Sequence, residues 1–134
     1  MRLCFISTGG AIRGVIAEAI AKKMSKEALL NMEIFSAGVE PLQEVPKQVI
    51  DVLEEKGYSV EEIKPRSLED VSYEDADIII TLSTEARDKS PYMHTHKRRE
   101  HWVLEEIKDV SDLQALRKLR DQIEENVVSL FKIR

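Results

Sequence analysis

Cysteine is almost missing from this chain: Cys4 is the only one among 134 residues. A lone thiol excludes an internal disulfide and a cysteine-built metal cluster. Long apolar runs are missing too, since none approaches the roughly 18 residues that span a bilayer; no membrane contact is expected. The opening Met-Arg-Leu-Cys-Phe-Ile is too short for a secretory-signal core and lacks a cleavage site, so it is expected to be a strand. Positive charge is not in excess. A net charge of −5 argues against a general nucleic-acid binder. Two asparagines and four glutamines are few beside 20 Lys and Arg and 25 Asp and Glu, a balance that leans towards a thermophilic source. Linkers and internal repeats are absent as well. What is present, 43% hydrophobic and 34% charged residues, is the make-up of a folded globular protein. One domain over 1–134 is expected, long enough to bury about two-thirds of its unfolded surface, with the cytoplasm as its compartment.

Apolar runs and helical periods alternate along the chain. Arg2–Ile6 reads as a buried strand. From Gly14 the period changes: Ile16, Ile20 and Met24 recur every four residues and predict a helix to about Leu30. Met32–Phe35 is a second strand, and Ser36-Ala37-Gly38 turns the chain. Pro46 suits the first turn of a helix through Lys56 and Gly57 its C-terminal cap, with Val49, Val52 and Leu53 facing the core. Ser67-Leu-Glu-Asp70 and Ser72-Tyr-Glu-Asp75 resemble short-helix starts. Asp77–Leu82 is the clearest strand, and its unbroken apolar character implies burial on both faces, as in a parallel sheet. A helical turn is expected at 84–89, a loop at 90–98 and a fourth strand at Trp102-Val103-Leu104. Ser111 with Gln114 reads as a capping box opening a last helix, striped by Leu113, Leu116, Leu119, Ile123, Val127 and Leu130. The pattern predicts an α/β fold, a three-layer sandwich with helices flanking a four-stranded parallel sheet. Ligands of such sheets bind beyond the carboxyl ends of the strands, and the first such end is Ser7.

The segment Ser7-Thr8-Gly9-Gly10-Ala11-Ile12-Arg13 joins that strand to the first helix. A loop of this length closing on a helix N-terminus can turn successive backbone N–H groups inward, making with the helix dipole a concave anion site. Gly9 and Gly10 permit the positive φ angles such a nest needs. Arg13 adds a permanently charged fork able to grip two oxygens of a tetrahedral oxyanion. The ATPase loop is excluded because no Lys-Ser/Thr pair follows the glycines, and glycines at 9, 10 and 14 do not fit the dinucleotide pattern. A tight strand-to-helix turn with an incidental arginine is the plainer alternative.

Phe5-Ile6-Ser7-x5-Arg13-Gly14-Val15-Ile16-Ala17-Glu18-Ala19 resembles the entry motif of the low-molecular-weight tyrosine phosphatases and the related thioredoxin-coupled arsenate reductases, Phe-Val-Cys-x5-Arg-Ser followed by Met-Ala-Glu-Ala. The likeness continues through Ser36-Ala37-Gly38, Lys64-Pro65-Arg66-Ser67, Asp77–Leu82, Lys97–Trp102 and the last helix. It implies the three-layer fold, a phosphate or arsenate site in the Ser7–Arg13 loop, and no cofactor. In the family a cysteine nucleophile occupies the place of Ser7, and the reductases carry two more redox cysteines where Ser83 and Ser90 stand. The resemblance also implies a general acid on a late loop, for which Asp109 is the first candidate and Glu106 the second.

A thiol of pKa about 8.5 ionises readily inside a nest of amides, whereas a serine hydroxyl needs an adjacent base to become a nucleophile. Little or no turnover is therefore expected from Ser7. Thioredoxin coupling is not expected without the cysteines. Gly10 stands where the family often has Asn, and Gly14 where it has a hydroxyl residue. The expected partners are phosphate, arsenate or a phosphorylated small molecule or protein. Two alternatives stay open: a Cys-to-Ser form of an active enzyme, and a non-catalytic interaction or regulatory protein. His94, His96 and His101 have the look of a metal triad but lack companion ligands, so no metal is expected, and Lys97-Arg98-Arg99 reads as an exposed charge run. Cys4 reads as a small buried apolar residue.

Overall fold

The structure is a computed structural model that describes residues 1–91 and 96–132. Four parallel strands, β1 (Arg2–Ser7), β2 (Glu33–Gly38), β3 (Ile78–Thr81) and β4 (Arg98–His101), form one sheet in the order β2-β1-β3-β4. Helices α1 (Arg13–Glu27), α2 (Lys47–Glu54), α3 (Thr84–Lys89) and α4 (Leu113–Leu130) complete the fold, with two 3-10 turns at Glu69–Val71 and Tyr73–Asp75.

Period-2 alternation divides the sheet's side chains between two cores. Leu3, Phe5, Ile34, Ile78 and Ile80 point to one face, under α1, α2 and α4. Cys4, Ile6, Phe35, Ala37 and Ile79 point to the other, under Val71, Tyr73 and Ala86 of the 3-10 turns and α3. This is the expected three-layer sandwich. Apolar residues fill both faces of β1 and β3 because these central strands have a helical layer on each side.

Local chemistry sets the element ends. Gly57, at φ +75°, closes α2 while the Tyr58 N–H returns to the Leu53 carbonyl at 3.1 Å. Ser67 Oγ accepts from the Asp70 N–H and Asp70 Oδ2 accepts from the Ser67 N–H, both at 3.3 Å, a reciprocal cap on the first 3-10 turn. Three expectations need correction. Ser36-Ala37-Gly38 does not turn the chain but continues β2, pairing with Phe5, Ile6 and Ser7. The fourth strand is Arg98–His101, not Trp102–Leu104. Trp102 only extends the ladder, its N–H donating to the Thr81 carbonyl at 2.9 Å while its ring packs against Phe5, and Val103 is exposed. An edge strand with one half-open face tolerates the charged Arg-Arg-Glu-His, which its composition disguises as loop. The cap of α4 is Asp112, whose Oδ1 accepts from the Ala115 N–H at 3.1 Å; Ser111 instead donates through Oγ to Asp109. No helix among the described residues is long and apolar enough to cross a membrane.

Candidate functional site

Ser7 ends β1 and is buried. Beyond it the chain stays tied to the segment after β2: the carbonyls of Ser7, Thr8 and Gly9 accept from the N–H groups of Val39, Glu40 and Leu42 at 3.1, 2.8 and 2.9 Å. With those carbonyls turned outward, the loop curls over its own start, and the Gly10 N–H donates to Ser7 Oγ at 3.1 Å. Gly10 takes φ +66°. A Cβ there would lie 2.9 Å from the Gly38 backbone nitrogen, and a Cβ on Gly38 would lie 2.7 Å from that of Gly10. The two glycines therefore let the loop seat directly on the end of β2. Gly38, expected as a turn residue, is instead the last residue of β2 and the floor of this loop.

Helix α1 then begins at Arg13 with no side-chain cap and no acidic residue in its first turn. Its unsatisfied N–H groups and positive dipole end face the loop. The residues Ser7 to Arg13, with Leu42, Glu106 and Ile107, enclose a cavity of about 150 Å³. Burial pushes the Arg13 guanidinium below its usual value, and Glu106 opposes that shift, which places a carboxylate within electrostatic reach of Arg13. Such a concavity of amides, helix end and guanidinium can hold a tetrahedral anion. The seven loop positions singled out in the sequence thus come together.

Of the two general-acid candidates, Glu106 lines this cavity and Asp109 does not. Asp109 is exposed, and the hydroxyl and N–H of Ser111 hold its carboxyl below the ordinary range. Gly14 lies beneath the loop: a Cβ there would come within 2.9 Å of Ser7 Oγ. Ser83 and Ser90 bracket α3. Ser83 Oγ accepts from the Ala86 N–H at 3.1 Å and from Thr8 Oγ1 at 2.9 Å, joining the loop to the end of β3. Ser90 Oγ accepts from Arg99 Nη2 at 3.0 Å.

One supporting residue had no assigned role in the sequence. Glu18 is fully buried in α1, where its Oε1 accepts from Ser36 Oγ at 2.7 Å and Arg66 Nη1 at 3.2 Å and its Oε2 from Lys22 Nζ at 2.6 Å. This carboxylate clasps α1, β2 and the strand-like segment at Arg66 below the loop. Its signal was a lone acid among the apolar and alanine positions of Val15–Ala21.

His96 and His101 have separate partners. His96 Nε2 lies 3.1 Å from the Tyr73 carbonyl, His101 Nδ1 lies 2.7 Å from Thr81 Oγ1, and His94 falls outside the described residues. Among the described residues, no group of three His, Cys, Asp or Glu side chains is placed to hold a metal ion. Lys97 pairs with Asp77, Arg98 with Glu100, and Arg99 reaches Ser90 and the Arg87 carbonyl, so none of the three lines the cavity. Cys4 is fully buried, and burial pushes its thiol up, with Glu18 adding to the effect.

The low molecular weight phosphotyrosine protein phosphatase family matches residues 2–133. The arsenate reductase of Bacillus licheniformis is 28% identical over 128 residues, covering 92% of this chain and 89% of that one. Among solved structures, an arsenate reductase in a phosphate-binding state superimposes with a TM-score of 0.82 at 26% identity, covering 96% of this chain and 95% of the other. A low-molecular-weight protein tyrosine phosphatase from T. tengcongensis superimposes with a TM-score of 0.86, covering 98% of each chain; at 21% identity this is a likeness of fold.

Proposed function

The chain belongs to the low molecular weight phosphotyrosine protein phosphatase family, and from that membership we propose that its Ser7–Arg13 loop binds a tetrahedral oxyanion without turning it over at an enzymatic rate. The observation that carries this reading is the cavity itself, closed by the loop, open to the uncapped start of α1 and walled by Arg13. Phosphate, arsenate or the phosphoryl group of a phosphorylated molecule fits its size and charge. Support comes also from the phosphate-binding state of the similar arsenate reductase.

The chemistry follows from Ser7. Its Oγ accepts from the Gly10 N–H, and no carboxylate or imidazole hydrogen-bonds to it among the described residues. Without a base the hydroxyl stays protonated. Amide donors that favour a thiolate at this position do much less for an alcohol whose ionised form lies far out of reach. Glu106 faces the cavity near Arg13 and is better placed than Asp109 to pass a proton to a leaving oxygen, but that step has use only after a nucleophile has attacked. Ser83 and Ser90 act as hydrogen-bonding caps of α3 and supply no sulfur for reduction, so thioredoxin has nothing to couple to.

Hydrolysis of p-nitrophenyl phosphate tests the separation of binding from chemistry. The unaltered chain should be no faster than Ser7→Ala, whereas Ser7→Cys should gain turnover that Arg13→Ala removes. Hydrolysis by the unaltered chain at roughly 1 s⁻¹ or more, lost in Ser7→Ala, would contradict the reading.

A further inference from the structure

A second cavity, of about 420 Å³, opens beside the loop between the carboxyl ends of β1 and β3. It shares Thr8, Arg13 and Glu106 with the loop cavity and continues to Arg87 of α3 and to His101 at the end of β4. Together the two spaces have the size of a small-molecule site. Among the described residues, Arg87 pairs through Nε with its neighbour Asp88 at 3.3 Å on an exposed surface, and its terminal nitrogens are available to a ligand. His101 is oriented by the 2.7 Å contact of Nδ1 with Thr81 Oγ1, and the tautomer accepting there carries its proton on Nε2. Burial and the nearby Arg87 hold its imidazole below the usual pKa. Glu106 is the one acid in the lining, at the boundary where Arg13 faces it.

We infer that this cavity is a second anion subsite, in which Arg87 and His101 bind a carboxylate or further phosphate of a small molecule whose phosphoryl group occupies the Ser7–Arg13 loop. The inference rests on the oxyanion reading of that loop and adds the substrate class: compact phosphorylated metabolites with a second acidic group, in preference to simple phosphate monoesters. A charge-assisted contact of this kind is worth enough to separate the two classes about tenfold.

Calorimetric titration with inorganic phosphate, with ω-phosphonocarboxylates of increasing chain length, and with alkylphosphonates of matched length tests it. At least one phosphonocarboxylate should bind about tenfold tighter than its alkyl counterpart. Arg87→Leu should abolish that advantage while leaving inorganic phosphate affinity and thermal stability unchanged, since Arg87 is surface-exposed and outside the loop. His101→Gln should reduce the advantage in part. Equal binding of every matched pair, with phosphate still bound in an Arg13-dependent way, would overturn the second subsite and leave the loop reading standing. Phosphate binding that is absent, or indifferent to Arg13→Ala, would overturn the loop reading and this inference with it.

Discussion

Gly10 and Gly38 meet across a gap that no side chain fits, and this makes them the most sensitive single positions of the site. Gly10→Ala sets a Cβ 2.9 Å from a backbone nitrogen at a residue with φ +66°. It should cost about 1–3 kcal/mol in urea unfolding and weaken phosphate binding. Gly9→Ala is the control, because its Cβ would meet only the side chain of Leu42 at 3.1 Å. That side chain is half-exposed and can rotate away, so the loss should stay below about 1 kcal/mol. The sequence offered Gly9 and Gly10 alike as residues of positive φ, and only Gly10 of the two takes it. The part played by Gly38 was not legible, since it depends on the approach of two segments far apart in sequence. The same limit applies to Glu106 and Asp109: three residues apart on one loop, they are told apart only by where the chain after β4 runs.

Strands and helices with a clear period were legible; the half-exposed edge was not. Asp77–Leu82 declared β3 by its isoleucines, whereas β4 is built from Arg98, Arg99, Glu100 and His101, residues that a buried strand would reject. The cap of α4 shifted by one residue because Ser111 and Asp112 are both good caps and only geometry chooses. Asp112→Ala should therefore lower stability by about 1 kcal/mol, measured as a shift in the urea midpoint, and Ser111→Ala by clearly less. Helices α2 and α4 are joined at the surface by Glu55, which accepts hydrogen bonds from Arg117 and Arg120. These bonds hold its carboxyl down at about 2, against an ordinary value of 4.5. A depressed carboxylate stabilises the fold at pH values above the unfolded pKa and loses that contribution as pH falls through the folded one. Melting temperatures of the parent and Glu55→Gln should thus differ above pH 4.5 and converge as pH drops from 4.5 towards 2. A gap that persists unchanged through that window would rule out Glu55 with its two arginines as an acid-sensitive tie.

At the scale of the molecule, the sheet order β2-β1-β3-β4 explains where the site lies. The chain leaves β1 towards β2 on one side and returns to β3 on the other, which opens a crevice beyond the carboxyl ends of β1 and β3. The Ser7–Arg13 loop fills one side of that crevice, and the Thr8–Ser83 hydrogen bond spans it. The architecture was legible because alternating periods leave few topologies for a chain of this kind. The proposed function, oxyanion binding without turnover, turns on one atom of that crevice, the hydroxyl of Ser7, which accepts from the Gly10 N–H. Thermal unfolding across a phosphate titration tests that claim most directly, since a ligand bound only by the native state must stabilise it. Phosphate at about 100 times its Kd should add about 2.7 kcal/mol and raise the Tm of the unaltered chain by several degrees, while leaving Arg13→Ala where it was. No rise in the unaltered chain, or the same rise in Arg13→Ala, would contradict it.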